Sequence, residues 1–205
     1  MKKKSSTEVW VTIGLAVFFL IFLSPIIIAL FGSFREMGDT SNYLHLFHAP
    51  SLESYKTAFG KMSYFRSLKN SILITVISVI LLLTFCSMAG YAIARLRGKL
   101  GSFLQIFFLA GMIVSAQMSI IPMYKVVNQV GIGNTIAAPI ALYVTAALPF
   151  SIFLYTNFIK SGVPYSLEEA ARIDGASIPF TFVRIVIPLT KPALSSLVIT
   201  QGVPI

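Results

Sequence analysis

Charged residues are scarce in this sequence: Lys, Arg, Asp and Glu make up 11% of its 205 residues, against roughly 25% in soluble proteins. Four long stretches, 9–34, 70–94, 100–124 and 126–159, contain no charged residue at all. Each is longer than the roughly 20 apolar residues that cross a bilayer as a helix. With 56% hydrophobic residues and a mean hydropathy of +0.84, the composition excludes a soluble domain.

Metal-binding and catalytic patterns are also absent. The single cysteine, Cys86, excludes an intrachain disulfide. His45 and His48 have no further ligands near them in the sequence, and a structural zinc site takes four ligands, so we expect no metal site. There is no Gly-x-x-x-x-Gly-Lys-Ser/Thr loop, no His-Glu-x-x-His and no Gly-x-Ser-x-Gly pattern. We therefore expect no catalytic residues.

The charge-free stretches predict an all-α polytopic membrane protein, a helix bundle of four full spans plus the start of a fifth, forming one domain over residues 1–205. The first stretch is too long for a cleaved signal, whose apolar core is about 7–15 residues. In chain order we expect a span at about 10–34, an outer loop 35–69, spans at 70–94, 101–124 and 136–159, a cytoplasmic loop 160–192 and the start of a fifth span at 193–205.

The net charge of +9 is distributed as a membrane protein requires. The basic residues lie between the apolar runs, so we expect no nucleic-acid partner. With the amino terminus in the cytoplasm, ten Lys and Arg lie inside and six outside. The densest group is the short turn 95–99, and short loops carry the topological signal. The spans themselves hold no ionisable residue, so an energy source must come from another polypeptide or be absent.

The outer loop contains a short helical pattern. Pro50 and Ser51 precede Leu52, Tyr55 and Phe59, which recur at spacings of three and four. This spacing predicts a short amphipathic helix. The helix either receives a partner outside the membrane or caps the bundle.

The cytoplasmic loop 160–192 is much longer than the roughly 2–8 residues of an ordinary connection between helices. Ser166 and Glu169 form a Ser-x-x-Glu pattern, which predicts an N-cap at Ser166 and a capping box. Gly175 stands where a left-handed residue commonly ends a helix. Ser177 can cap a second short helix, with Pro179 in its first turn.

These two short helices suit docking to a partner, and a solvated connector is the alternative. Leu167, Ala170 and Ala171 share one face that is small enough for close packing. Two short helices joined at a glycine also carry several charges that a partner's groove could contact. The charged residues are Glu168, Glu169, Arg172, Asp174 and Arg184.

The same segment resembles the Glu-Ala-Ala loop of permease subunits of bacterial ATP-binding-cassette importers. The matching run is Glu169-Ala170-Ala171, three residues, Gly175, nine residues, Ile185, one residue and Ile187-Pro188. Ile187 stands where Leu is usual. The text of 168–177 and 188–192 is similar to the carbohydrate branch, the second permease of maltose-type systems.

This resemblance implies a multi-pass subunit of the bacterial inner membrane, surrounded by membrane lipid. It would form the translocation path with a second permease subunit and rest on ATPase subunits. Those ATPase subunits would bind the ATP, so no cofactor is expected in this chain. An extracytoplasmic sugar-binding protein would deliver the sugar. The resemblance assigns coupling to the ATPase to Glu168, Glu169, Ala170, Ala171, Asp174, Gly175, Ile185 and Pro188, and leaves the substrate-binding residues unknown.

The carboxyl end departs from this family, whose members in this branch usually have six spans. A fifth span could begin only near Ala193, and the sequence stops at Ile205. About 13 residues cover roughly 20 Å of a core about 30 Å thick. We therefore expect a permease truncated at the C-terminus. The alternatives are a non-transporting membrane fragment and a permease for another small solute.

Overall fold

A computed structural model of the chain describes residues 6–34, 51–96, 98–114 and 116–203. Within these ranges the regular secondary structure is entirely helical, as the sequence predicts. His45 and His48 lie outside the described residues. The helices are α1 (Ser6–Ser33), α2 (Glu53–Lys61), α3 (Tyr64–Arg95), α4 (Lys99–Gly111), α5 (Ala116–Gln129), α6 (Ala137–Gly162), α7 (Tyr165–Ile173), α8 (Ile178–Thr181), a π-helical turn (Phe182–Val186), α9 (Ile187–Leu189) and α10 (Lys191–Gly202).

Three of these helices are long and apolar enough to cross a membrane: Trp10–Ser33, Tyr64–Arg95 and Ala137–Gly162. Ile178–Leu189 and Lys191–Gly202, which meet at an angle of 71°, are together apolar enough for either a broken fourth crossing or a re-entrant loop. The predicted all-helical membrane class is therefore confirmed. α6 extends to Gly162, so the loop that follows it begins at Val163.

The third predicted span, 101–124, consists of two helices in the structure. α4 ends at Gly111, where the amides of Met112 and Ile113 each bond to a carbonyl three residues back. Hydrogen bonds between residues only three apart tighten the last turn of a helix. α5 begins at Ala116. An apolar run without charges reports the depth of a segment in the bilayer but not the continuity of its helix.

Chain contacts divide the protein into two units, Met1–Ser67 and Leu68–Ile205. In the first unit, α1 is apolar on all sides and its membrane-length window has no buried residue. A helix that is apolar all round suits a lipid environment. The predicted outer helix is present as α2, where the Tyr55 hydroxyl lies 2.6 Å from the Ser33 hydroxyl oxygen.

In the second unit, the core lies among α3, α6 and α10. Cys86, Tyr155, Ile159 and Leu197 are fully buried there. α3 lies close to α6 at Gly90, where an added Cβ would lie 2.9 Å from the Tyr155 ring. Small residues allow such close approach between membrane helices, because packing rather than exclusion from water holds the helices together.

The chain bends sharply where it enters α10. Pro188 has no amide hydrogen and its ring crowds the carbonyl four residues back. The preceding residues form a π-helical turn, in which the Ile187 amide donates to the Phe182 carbonyl. The bend itself is at Thr190, whose hydroxyl oxygen lies 2.8 Å from the Tyr155 hydroxyl on α6. A buried side-chain contact therefore ties the bend to the end of α6.

Candidate functional site

The first helix of the loop that follows α6 begins earlier than the sequence predicts. Residues before a proline avoid the helical region, and Val163 is accordingly extended, with φ −118° and ψ 99°. Pro164 then occupies the N-cap position and α7 starts at Tyr165. Ser166 lies inside the helix. The predicted N-cap at Ser166, and the capping box with Glu169, are therefore wrong.

The predicted end of this helix is confirmed. Gly175 adopts φ +83°, a left-handed conformation that costs an L side chain energy. The Gly175 amide donates to the Arg172 carbonyl at 3.0 Å, and the Ala176 amide donates to the Ala171 carbonyl at 2.9 Å. This pair of bonds is a Schellman motif. It satisfies two carbonyls at the helix end and sets the angle at which α8 leaves α7.

A fully buried carboxylate anchors α7 to the end of α3. Glu168 is 0% exposed. Its Oε2 accepts a hydrogen bond of 2.9 Å from the Tyr91 hydroxyl. Its Oε1 accepts a hydrogen bond of 2.8 Å from Nε of Arg95, and Nη2 of Arg95 lies 2.6 Å away. A buried charge is tolerated only when it is paired and hydrogen-bonded, and both oxygens of Glu168 meet that condition.

Arg95 and Tyr91 extend this anchor to other elements. Nη2 of Arg95 also donates to the Val163 carbonyl at 2.9 Å, at the end of α6. The guanidinium lies 5.7 Å from the centre of the Tyr165 ring, within the range of a cation–π contact. The Tyr91 ring packs against Phe182 with centroids 5.0 Å apart. The last turn of α3 thus holds α7, the α6–α7 turn and the π-helical turn together.

On the surface of the loop there is a groove with exposed side chains beside it. The groove has a volume of about 540 Å³. Glu169 and Ala170 are exposed beside it. Within the part of the chain that the structure describes, Glu169 makes no ion pair and no side-chain hydrogen bond. The groove is lined by Ala171, Asp174, Gly175, Ala176, Ser177, Phe180 and Ile185.

The structure divides the predicted coupling residues into four groups. Ala171, Asp174, Gly175 and Ile185 line the groove, while Glu169 and Ala170 are exposed on α7. Glu168 faces the interior, and Pro188 lies on α9, outside the groove lining. Ala171 is only 8% exposed, so the predicted small face of Leu167, Ala170 and Ala171 is partly covered by the protein itself.

Sequence reasoning did not find the partners of the buried carboxylate. Tyr91 and Arg95 are four residues apart, a spacing that puts both side chains on one face of a helix. This spacing, next to the last turn of an apolar span, was the available signal. Nothing in the local sequence connects it to a carboxylate 73 residues away.

A leucine at position 175 is expected to weaken the loop. Gly175 has space around it, since an added Cβ would meet no atom within 4 Å, so the cost arises from its φ of +83°. We expect Gly175→Leu to destabilise the α7–α8 junction by about 1–2 kcal/mol. Faster hydrogen–deuterium exchange of the segment 170–177 would reveal it. Gly175→Asn is the matched control, because Asn tolerates this conformation and should change exchange less. Equal exchange in all three proteins would contradict the prediction.

Comparison with known proteins decides the family. Residues 86–204, more than half of the chain, match the family described as binding-protein-dependent transport system inner membrane component. The chain belongs to this family. The matched segment includes the end of α3, the loop that follows α6, and α10. The predicted resemblance to importer permeases is thereby confirmed, and the chain is a component of the inner membrane.

Two relatives illustrate the similarity. A putative ABC transporter permease protein of Caldicellulosiruptor sp. is 35% identical over 198 residues, covering 96% of this chain and 71% of the relative. The multiple sugar-binding transport system permease protein MsmG of Streptococcus mutans is 36% identical over 198 residues, covering 94% of this chain and 70% of the relative. Both relatives are named as transport permeases rather than enzymes.

The fold has a counterpart among solved structures. A chain of a bacterial ABC transporter involved in the import of the acidic polysaccharide alginate matches 99% of this chain with a TM-score of 0.83. The match covers 73% of that chain at 24% sequence identity. At this identity the likeness concerns the fold, and it supports the importer-permease type of helix arrangement.

Proposed function

We propose that the chain is the membrane-spanning permease subunit of an ATP-driven sugar importer. It forms the translocation path with a second permease subunit and couples to a separate ATPase through its cytoplasmic loop. ATP is bound by the ATPase, and an extracytoplasmic binding protein delivers the sugar. Family membership supports the transport role. The names of the relatives MsmG and MelC, the latter a melibiose/raffinose/stachyose import permease protein of Bacillus subtilis, support a sugar as the solute.

The observation that carries the coupling role is that α7 is bonded to α3 through one side chain while the next side chain along the helix is exposed. Glu168 is buried and bonded to the end of α3. One residue later, Glu169 is exposed. A helix that is bonded to a membrane helix on one side and presents an exposed carboxylate on the other can transmit displacement from a partner. A solvated connector would not need such an anchor.

The groove beside α7 gives the partner a defined place to contact. Its lining combines the carboxylate of Asp174 with the ring of Phe180 and the methyl group of Ala171. Interfaces commonly combine an apolar centre with a charged rim. An ATPase with a basic group near an apolar pocket would satisfy both parts. We therefore assign the ATPase contact to this groove together with Glu169 and Ala170.

Removal of the Glu169 side chain tests the coupling role. Because Glu169 is exposed and caps no helix, we expect Glu169→Ala to leave folding and membrane insertion unchanged. Transport and co-purification with the ATPase should fall at least several-fold, since a charged contact would be lost. Lys99→Ala, which removes an exposed charge outside the predicted coupling residues, is the comparison variant and should leave both quantities unchanged. Normal uptake and normal ATPase binding in Glu169→Ala would mean that this residue belongs to a connector.

We also propose that the amino terminus is cytoplasmic, from the ten-to-six excess of Lys and Arg on that side. Reporter fusions after Gly60 should then report the outside, and fusions after Gly98 or Gly162 the inside. Neutralising Arg95, Arg97 and Lys99 together should weaken this orientation, because these charges lie in a short turn at the ends of helices. A reversed reporter pattern would overturn the proposed topology.

The function as a whole is tested by uptake. Cells that carry this chain with its partner subunits should accumulate labelled sugars when ATP is present, and should not do so without the chain. Uptake of a different class of solute would retain the permease role and reject the sugar. No uptake of any solute, with all subunits assembled, would favour a non-transporting membrane protein.

A further inference from the structure

The side chains of Tyr91, Arg95 and Glu168 form a buried cluster that the coupling proposal does not require. A loop could present Glu169 to a partner without burying the carboxylate next to it. Ordinary connections satisfy their polar groups with water at the surface. Here the loop instead places Glu168 out of contact with solvent, against a membrane helix 73 residues earlier in the chain.

The geometry of the cluster restricts where α7 can lie. Glu168 has both oxygens engaged, one by the Tyr91 hydroxyl and the other by the Arg95 guanidinium. The guanidinium is itself held, because Nη2 also donates to the Val163 carbonyl. A planar guanidinium with fixed donors demands one direction of approach from each acceptor. Displacement of α7 along α3 would break these bonds together.

A buried ion pair is better suited to setting position than to adding stability. Two apolar side chains of similar volume usually fill such a site as stably as the pair does. Ion pairs and polar groups in a core are instead known to fix the register of one element against another. Arg95 is the last residue of α3, and Glu168 lies in the first turn of α7. The register that the cluster fixes is therefore that of α7 on the end of α3.

We propose that Tyr91, Arg95 and Glu168 are positioning residues that make α7 and the last turn of α3 move as one body. A force applied to the exposed side of α7 then also displaces α3, because no flexible joint separates the two helices. This inference rests on the proposed coupling of α7 to an ATPase. The three residues act through α7 and contact no substrate.

The first experiment measures the position of α7 and needs neither ATPase nor sugar. In a Cys86→Ser background, the chain carries Ala171→Cys, at a site that is 8% exposed, and its labelling rate with a maleimide is recorded. We expect the additional changes Arg95→Met and Glu168→Met together to raise this rate at least tenfold. Ala170→Cys, at an exposed site, should label rapidly in every background. Lys99→Met, which removes an exposed cation near the same turn, should leave the Ala171→Cys rate within twofold.

A separate measurement guards against general unfolding. In the chain that retains Cys86, which is fully buried, the paired Met variant should leave that thiol unreactive. If Cys86 becomes reactive, Tyr91→Phe replaces the paired variant, because it removes one hydrogen bond and keeps the ring that packs on Phe182. It should raise the Ala171→Cys rate at least twofold. An unchanged Ala171→Cys rate in a variant with a protected Cys86 would overturn the proposal.

The second experiment measures coupling as ATP hydrolysed per sugar taken up, in vesicles that hold the assembled importer. A merely structural role would lower both quantities by lowering the amount of importer, and their ratio would not change. We expect the ratio to rise at least tenfold in the paired Met variant and to stay within twofold in Lys99→Met. An unchanged ratio would overturn the proposal. Absence of ATP-driven uptake in the unmodified chain would instead reject the proposed function, and the labelling rates would still decide whether the cluster holds α7.

Discussion

Arg95→Ala is expected to lower the free energy of unfolding by about 3–5 kcal/mol, the usual cost of leaving one member of a buried ion pair without its partner. Glu168, whose side chain is fully buried, would keep only the Tyr91 hydroxyl as a donor. The Val163 carbonyl would lose its bond to Arg95 as well. The loss can be measured by titrating the detergent-solubilised protein with sodium dodecyl sulfate.

Two comparison variants separate the ion pair from other effects of removing an arginine. Arg172→Ala removes an exposed guanidinium, which also lies near the Tyr165 ring, and should cost less than about 1 kcal/mol. Arg95→Met combined with Glu168→Met should recover most of the lost stability, because no buried charge then remains unpaired. Equal destabilisation by Arg95→Ala and Arg172→Ala would contradict burial of the pair.

Gly90→Leu is expected to disrupt the contact between α3 and α6. An added Cβ at this position would lie 2.9 Å from a Tyr155 ring carbon and 3.3 Å from the backbone nitrogen of Thr156. The Tyr155 ring is fully buried, and the backbone of Thr156 is part of α6, so neither can move away from the added Cβ easily. We expect Gly90→Ala to cost about 1–3 kcal/mol, and Gly90→Leu to lie at the upper end of this range or beyond it.

The same detergent titration measures both Gly90 variants, with the amount of protein in the membrane as a second readout. Gly14 is the matched control, since it also lies in an apolar helix and an added Cβ there meets no atom within 4 Å. Gly14→Ala should change stability by less than about 1 kcal/mol, because only its intrinsic helix propensity differs. Similar losses at positions 14 and 90 would show that close packing of α3 on α6 is not the cause.

The membrane character of the chain and the α7–α8 junction at Gly175 could be predicted from the sequence because both have local causes. A long run without charge is apolar enough for a bilayer whatever it packs against. Gly175 likewise ends α7 because its own φ is +83°, a conformation that a residue with a side chain avoids. The α6–α7 turn has an equally local cause in Pro164, yet the Ser-x-x-Glu pattern pointed to a start at Ser166. Pro164 restricts Val163 to an extended conformation, and α7 therefore begins at Tyr165. Ser166 lies inside the helix and does not cap it.

Continuity of the third span could not be predicted, because the charge-free run 100–124 contains both Gly111 and Pro122 and the sequence does not say which of them ends a helix. In the structure, α4 ends at Gly111. A glycine inside an apolar run is compatible with a continuous helix, and only its surroundings decide between the two outcomes. The sequence therefore determined that this segment is apolar and helical, and the tertiary structure decided where its helix is interrupted.

The roles of the two neighbouring glutamates show the same division most clearly. In the sequence, Glu168 and Glu169 are neighbouring carboxylates at the start of a short helix, both belong to the predicted coupling residues, and nothing there indicates that one of them is buried. The sequence was sufficient to predict that two short charged helices joined at a glycine follow α6, and that the chain is an importer permease. It could not predict that Glu168 turns inward to Tyr91 and Arg95 while Glu169 stays exposed, which follows from the fold. The physical reason is that burial of a charge depends on partners distant in the chain, and local sequence carries no record of which residues the fold brings together.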